Sequence, residues 1–238
     1  MINKKLILIG VAILAVAIIL LIVPKLFFKK KTTTPTTTTQ QTTDAQKAAD
    51  EARAKADETA AAANSFPLPS VTTDTLIAQA KKEYEFAAGK AVEWRKDAIP
   101  IATKISYTKS IDPKNGKDTY IFVSPSENKY YFTLTFDQAQ NDKGTNVFQR
   151  ALYFKEDYFL SKTTVNMPVK YLKMNYIQAL QKADESGGKS VRMDNKEYDV
   201  NMVLSAEEGK NLMWKVEYLI GAGAEYTVSY NAYTGELL

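Results

Sequence analysis

The sequence predicts an α+β protein: an N-terminal transmembrane helix and stalk, then two tandem units, each of one helix packed on an antiparallel sheet. Three observations predict it. An uninterrupted apolar run, Leu6 to Val23, stands near the start of the chain. A Thr-rich and then Ala-rich stretch follows it. Further on, residues 120–137 and 214–231 match at an offset of 94, with apolar residues at every second position.

The apolar run holds 18 residues without a charge, enough for a helix to cross the hydrocarbon core. Its rival is a cleaved leader with Ala15–Ala17 as the cleavage site, but the run continues through "IILLIV" beyond that point. Residues 1–31 are therefore read as a membrane anchor with basic flanks. Two lysines precede the span and four follow it, a count that favours a cytoplasmic C-terminus. The next segment argues for the outside. "KTTTPTTTTQQTT" (Lys31 to Thr43) has nine threonines and no large apolar side chain, as a solvated surface stalk does. A cytoplasmic linker is its rival. Asp44 to Asn64, rich in alanine, is expected to form a spacer helix, so residues 32–65 make the linker and spacer.

Residues 66–160 are expected to form the first helix-plus-sheet unit and 161–238 the second. The first would hold a helix near Leu76–Gly89 and strands at Pro100–Lys109, Thr119–Val123 and Lys129–Phe136, with Asn115-Gly116 as the hairpin turn. Asn146–Phe154 reads as a further strand. The second would hold a helix at Tyr176–Gly188 and strands near Lys189–Met193, Tyr198–Leu204, Leu212–Ile220 and Ala224–Tyr230. Tyr130, Phe132, Leu134 and Phe136 should face one core, as should Trp214, Val216, Tyr218 and Ile220.

Composition narrows the chemistry. The chain has no cysteine and no histidine, which removes thiolate and imidazole nucleophiles, bases and metal ligands. From Phe66 onward 22 basic residues balance 22 acidic ones, so the high pI belongs to the anchor and gives no sign of nucleic acid. No cofactor or metal is expected, and no enzyme activity. "GGKS" (Gly187 to Ser190) lacks the first glycine of a phosphate loop, Ala183 standing there. "DPKNGKD" (Asp112 to Asp118) has Lys114 at a ligand position of a calcium loop and reads as a turn. "GAGAE" (Gly221 to Glu225) reads as a strand connection. An enzyme working through carboxylates would draw on Glu93, Asp97, Glu217 or Glu225, though no spacing pairs them.

The C-terminal unit resembles a PepSY domain, and the first unit does so more loosely. The residues that carry the resemblance are the helix "YIQALQKADESGG", the strand "WKVEY" from Trp214 and the ending "YTVSYNAYTGELL". PepSY sequences typically close on an aspartate-alanine-x-threonine-glycine-glutamate turn. Here the turn is Asn231, Ala232, Tyr233, Thr234, Gly235 and Glu236, with asparagine for the usual aspartate. The family positions, Trp214, Val216, Asn231, Ala232, Thr234, Gly235 and Glu236, are expected to be structural. PepSY domains are similar to the inhibitory propeptide region of thermolysin-like peptidases and also occur in membrane-tethered proteins. The resemblance therefore implies a membrane-tethered, extracytoplasmic module that contacts a protein or peptide, restraint of a peptidase being one form of that contact. No inhibitory residue is carried over. A non-catalytic envelope spacer is the alternative.

Overall fold

The computed structural model describes residues 65–68, 70–139, 147–161 and 164–238. The predicted anchor (Leu6 to Val23), the Thr-rich tract and the Ala-rich spacer lie outside the described residues. Among the described residues, no helix is long and apolar enough to cross a membrane.

The chain from Ser65 on is built on one antiparallel sheet. Helix α1 (Ser70–Trp94) leads into strands β1 (Ile99–Tyr107), β2 (Gly116–Ser124), β3 (Glu127–Asp137) and β4 (Phe148–Phe154). A short strand β5 (Thr164–Val165) precedes helix α2 (Tyr176–Ala183), a π-type turn (Asp184–Gly188) and helix α3 (Lys189–Asp194). Strands β6 (Asp199–Glu207), β7 (Met213–Ile220) and β8 (Gly223–Asn231) finish the chain. The strand order is β4-β3-β2-β1-β6-β7-β8, with β5 paired to the end of β6.

This order corrects the expected fold class. Two tandem units, each with its own sheet, would leave β1 and β6 as edges. Instead β1 and β6 pair antiparallel from Ala102↔Ser205 to Tyr107↔Val200. The reason lies in their side chains. Ile105, Tyr107, Val200 and Met202 are all buried, and two such apolar strands cannot stay as open edges without exposing both that surface and a row of unpaired backbone groups. Pairing removes both costs and makes the sheet continuous.

Both main helices cover the same face of the sheet. Thr103 lies across from Tyr120 on one side and Leu204 on the other, and Leu204 lies across from Trp214; this row forms the floor. On α1, Ile77, Ala80, Glu83, Ala87 and Ala91 recur at helical spacing. Ala87 and Ala91 are fully buried, and their small side chains let the helix sit close over Phe122, Phe132 and Leu134. α2 covers the other half, burying Ile177, Ala179, Leu180 and Ala183 against Met202, Val216 and Tyr218. It starts at a capping box, Asn175 Oδ1 accepting from Gln178 N (2.9 Å) and Gln178 Oε1 from Asn175 N (2.9 Å). The opposite face of the sheet is crossed by the chain after β4, which packs Leu160 with Ile121 and Tyr131.

Two local expectations change. Lys189–Met193 is helical, because the π-type turn carries α2 on into α3 and turns Arg192 back toward Asp184. Gly188 is required there: a Cβ would lie 2.4 Å from the Tyr218 ring. The Asn115-Gly116 pair does not make a two-residue hairpin. Gly116 is extended (φ −80°) and already in β2, and a 3-10 turn, Pro113–Asn115, capped by Asp112 closes the connection.

Candidate functional site

The predicted C-terminal residues fall in two places. Trp214 and Val216 are buried on β7 under α2. Asn231 to Glu236 form a turn whose polar groups serve its own backbone. Asn231 Oδ1 accepts from Tyr233 N (2.9 Å) and Thr234 N (3.1 Å), and Gly235 N donates to Asn231 O (2.8 Å). Gly235 has φ +76°, a conformation that glycine adopts freely. Thr234 Oγ1 donates to Glu236 Oε2 (3.0 Å). Ala232 is buried, and its carbonyl accepts from Lys173 N and Met174 N (3.0 and 2.9 Å). Lys182 Nζ on α2 donates to Gly235 O (2.8 Å).

The turn folds the last residues back along β8. Asn231 N donates to Glu236 O (2.8 Å), Leu238 N to Ser229 O (3.0 Å), and Tyr230 bridges Leu237. One edge of the sheet is thereby partly covered by the chain's own tail. The other edge, β4, is different: among the described residues, no strand pairs with its outer side.

The hydrogen-bond phase of β4 follows from its register. Asp137 N donates to Val147 O (3.4 Å), and pairing runs on as Phe136↔Phe148, Thr133↔Ala151 and Tyr130↔Phe154. In an antiparallel ladder bonded and non-bonded pairs alternate. Gln149, Ala151 and Tyr153 therefore bond to β3, and the N–H and C=O groups of Phe148, Arg150, Leu152 and Phe154 point to the open edge. Their side chains stand on the helix-bearing face, where α1 ends its cover at Phe86. Phe148, Leu152 and Phe154 are 41%, 47% and 54% exposed, unusual for apolar residues in a sheet. Phe86 meets Phe148 edge-on (ring centroids 5.0 Å) and Tyr130 meets Phe154 (4.8 Å). Arg150 lies over the Phe132 ring (5.8 Å).

A second constellation was missed in the sequence. Glu83 on α1 and Asp118 on β2 are both buried and face one another under Gln79 and Gln138. Gln79 Nε2 donates to Glu83 Oε1 (2.9 Å) and Gln138 Oε1 (2.7 Å). Gln138 Nε2 reaches Glu83 Oε1 (3.0 Å) and Asp118 Oδ2 (3.2 Å). Glu83 Oε2 is buried with no donor. Burial, then the charge of Glu83 and the hydrogen bond to it, raise Asp118 well above the usual carboxylate range, so Asp118 is the carboxyl of the pair that keeps a proton. Nearby Tyr107, Tyr120 and Tyr176 are raised too, chiefly by burial. The signal was present in the sequence: Asp118 continues the buried alternation of Tyr120 and Phe122, and Glu83 sits in the apolar stripe of α1.

The pair makes stability depend on pH. Asp118 binds its proton more tightly folded than unfolded, so the native state holds more protons between the ordinary carboxylate range and the raised value. Stability is full below that range and falls as pH rises through the window. Asp118→Asn replaces the proton-holding carboxyl with a neutral amide that does not titrate. Urea midpoints at pH 5, 7 and 9 should show a flatter pH profile and a gain of about 1–3 kcal/mol at pH 9; parallel profiles for the two proteins would refute a proton held at Asp118.

The four carboxylates named from the sequence have separate settings. Glu93 pairs with Lys90 (2.8 Å) and Glu217 with Lys215 (2.6 Å). Asp97 accepts from Ser124 Oγ (2.6 Å) and Ser126 N (2.9 Å), and Glu225 is exposed on β8. Among the described residues, no cluster of three or more acidic residues could hold a metal.

A cavity of about 240 Å³ lies between α1, the sheet and residues 167–176, lined by Ile77, Tyr84, Ile105, Leu172 and Trp214 among others. Two of its polar tips already have partners: Tyr120 OH donates to Ala80 O (2.8 Å) and Trp214 Nε1 to Met174 O (2.9 Å). It offers hydrocarbon and little to orient a polar ligand. Comparison with family models, with curated proteins and with solved structures gave no match to this chain.

Proposed function

We propose that the chain is a membrane-tethered, extracytoplasmic and non-catalytic module of PepSY type, and that it binds a protein or peptide by strand addition at β4. The single observation that carries the binding reading is the contrast between the two edges. β8 is partly closed by the C-terminal tail, whereas β4 offers four outward-pointing backbone positions beside exposed aromatic side chains. Strand addition uses those two features, main-chain bonds for affinity and side-chain pockets for selection. The tether rests on the apolar run Leu6 to Val23, and the outward placement on the Thr-rich tract and the family resemblance. That resemblance also names a peptidase as a partner to look for.

Arg150→Pro tests the edge directly. The Arg150 N–H points outward, so proline there removes a donor needed by an added strand and keeps the ladder to β3. Pull-down with the full chain from envelope extracts should recover a stoichiometric partner, and the proline variant should lose it with its melting temperature unchanged. Recovery of the same partner by both proteins would refute β4 as the binding edge. No partner with either protein would favour the envelope spacer, the reading that the Thr- and Ala-rich segment supports. Protease shaving of intact cells checks the outward placement.

A further inference from the structure

We infer that the strand accepted at this edge is β4 of a second copy, in an antiparallel two-fold pair centred on Ala151. The inference rests on reading β4 as a strand-addition edge, and it names the strand that fills it.

The argument begins with the sequence of the strand. Phe148-Gln149-Arg150-Ala151-Leu152-Tyr153-Phe154 carries the same aromatic residue at both ends of a strand centred on Ala151: Phe148 mirrors Phe154, while the inner pairs Gln149 with Tyr153 and Arg150 with Leu152 differ in type and set no charge against a like charge. A two-fold interface sets each residue against the mirror position of the other copy. With Ala151 on the axis, the outward backbone groups of Phe148 and Arg150 meet those of Phe154 and Leu152 of the second copy. All four outward positions are then bonded. The exposed aromatic side chains at the two ends come together as direct cross-strand pairs, a favourable arrangement.

The neighbouring registers are worse. Sliding by two residues one way sets Arg150 opposite Arg150 of the second copy, and like charges directly opposed are destabilising. Sliding the other way sets Phe148 against the 3-10 turn Lys155–Asp157, which has no strand to offer. In the central register each guanidinium instead stays over its own Phe132 ring. Ala151 falls in a non-bonded pair on the axis, where the backbones approach to about 4.5 Å and a small side chain leaves room. Of the usual guards of an exposed edge, Phe148–Phe154 carries one charge, Arg150, and has no lysine, no proline and no register break in its pairing to β3.

The absence of native cysteine gives a clean test, since any thiol introduced is the single one in the chain. The full chain in mild detergent carries Ala151→Cys, Gln149→Cys or Tyr153→Cys, all on the face away from the helices, and is oxidised with copper phenanthroline. In the proposed register the thiol introduced by Ala151→Cys meets its own copy at a distance a disulfide spans. The thiols of Gln149→Cys and of Tyr153→Cys each lie about 13 Å from their own copies, so Ala151→Cys should cross-link about tenfold faster than either. A mixture of the Gln149→Cys and Tyr153→Cys chains should regain the fast rate, because those positions face each other. Adding Arg150→Pro should abolish fast cross-linking of Ala151→Cys.

Equal rates at the three positions, or insensitivity to Arg150→Pro, overturn the self-pairing. If cross-linking fails but Arg150→Pro still loses a captured partner, the second copy is wrong and the edge reading stands. If neither responds, both fall.

Discussion

Trp214→Ala should lower stability by about 3–5 kcal/mol, the range for a large buried aromatic truncated to alanine. Trp214 is 3% exposed, sits on β7 beneath the 167–176 segment, and already borders the 240 Å³ cavity. Truncation enlarges that void where α1, the sheet and the loop meet, so no neighbour can close it without moving one of the three. It also removes the indole donor to Met174 O, leaving a buried carbonyl short of a partner. Trp214→Phe separates the two effects: it keeps most of the volume and loses the donor, and should cost about 1–2 kcal/mol. Urea denaturation of the three proteins checks this. Equal losses for alanine and phenylalanine would assign the role to the hydrogen bond, and an unchanged midpoint for alanine would remove Trp214 from the core.

That Trp214 belongs to the core was legible from alternation alone, as were the buried faces of β2, β3, β7 and β8. Period-two patterns report which side chains turn inward, and Phe132, Leu134, Phe136, Val216 and Tyr218 all do. They do not report which strand lies alongside. The pairing of β1 with β6 joins residues about a hundred positions apart, and it decides between one sheet and two. Nor does the pattern fix register. The offset of 94 sets Tyr120 on Trp214 and Leu134 on Val228, yet Tyr120 faces Leu134 while Trp214 faces Tyr230. The second hairpin is shifted by two residues. An even shift keeps every side chain on its face, so periodicity cannot detect it.

The candidate site was legible in part for the same reason. "NVFQRALYF" reads as a strand, but an edge becomes an edge only when its neighbours are known. Glu83 and Asp118 were hidden because a carboxylate in an apolar stripe reads as an interruption until a second carboxylate is found across from it. Lys189–Met193 misled because five residues with one buried member, Val191, fit a strand or a helix equally well. What decides for the helix is Arg192, which must return to a carboxylate eight residues earlier.

Arg192→Leu is therefore expected to cost about 3–5 kcal/mol, the penalty for breaking a buried ion pair from one side. Arg192 binds Asp184 through two nitrogens, Nε to Oδ1 (3.1 Å) and Nη2 to Oδ2 (3.0 Å). Both side chains are less than a tenth exposed, in contrast to the exposed lysine pairs elsewhere among the described residues. Tyr218 OH also donates to Asp184 Oδ1 (3.3 Å), tying the π-type turn to the centre of β7. Leucine keeps the apolar stem of Arg192 but leaves a carboxylate facing the turn with a tyrosine hydroxyl to answer it. The damage should reach beyond the site, because the turn positions Gly188 against the Tyr218 ring. Asp184→Asn in the same chain removes the stranded charge and should return about half of the loss, a coupling that a double-mutant cycle measures. Additive losses for the two substitutions would show that the pair contributes nothing jointly, and that the turn is held by backbone and packing alone.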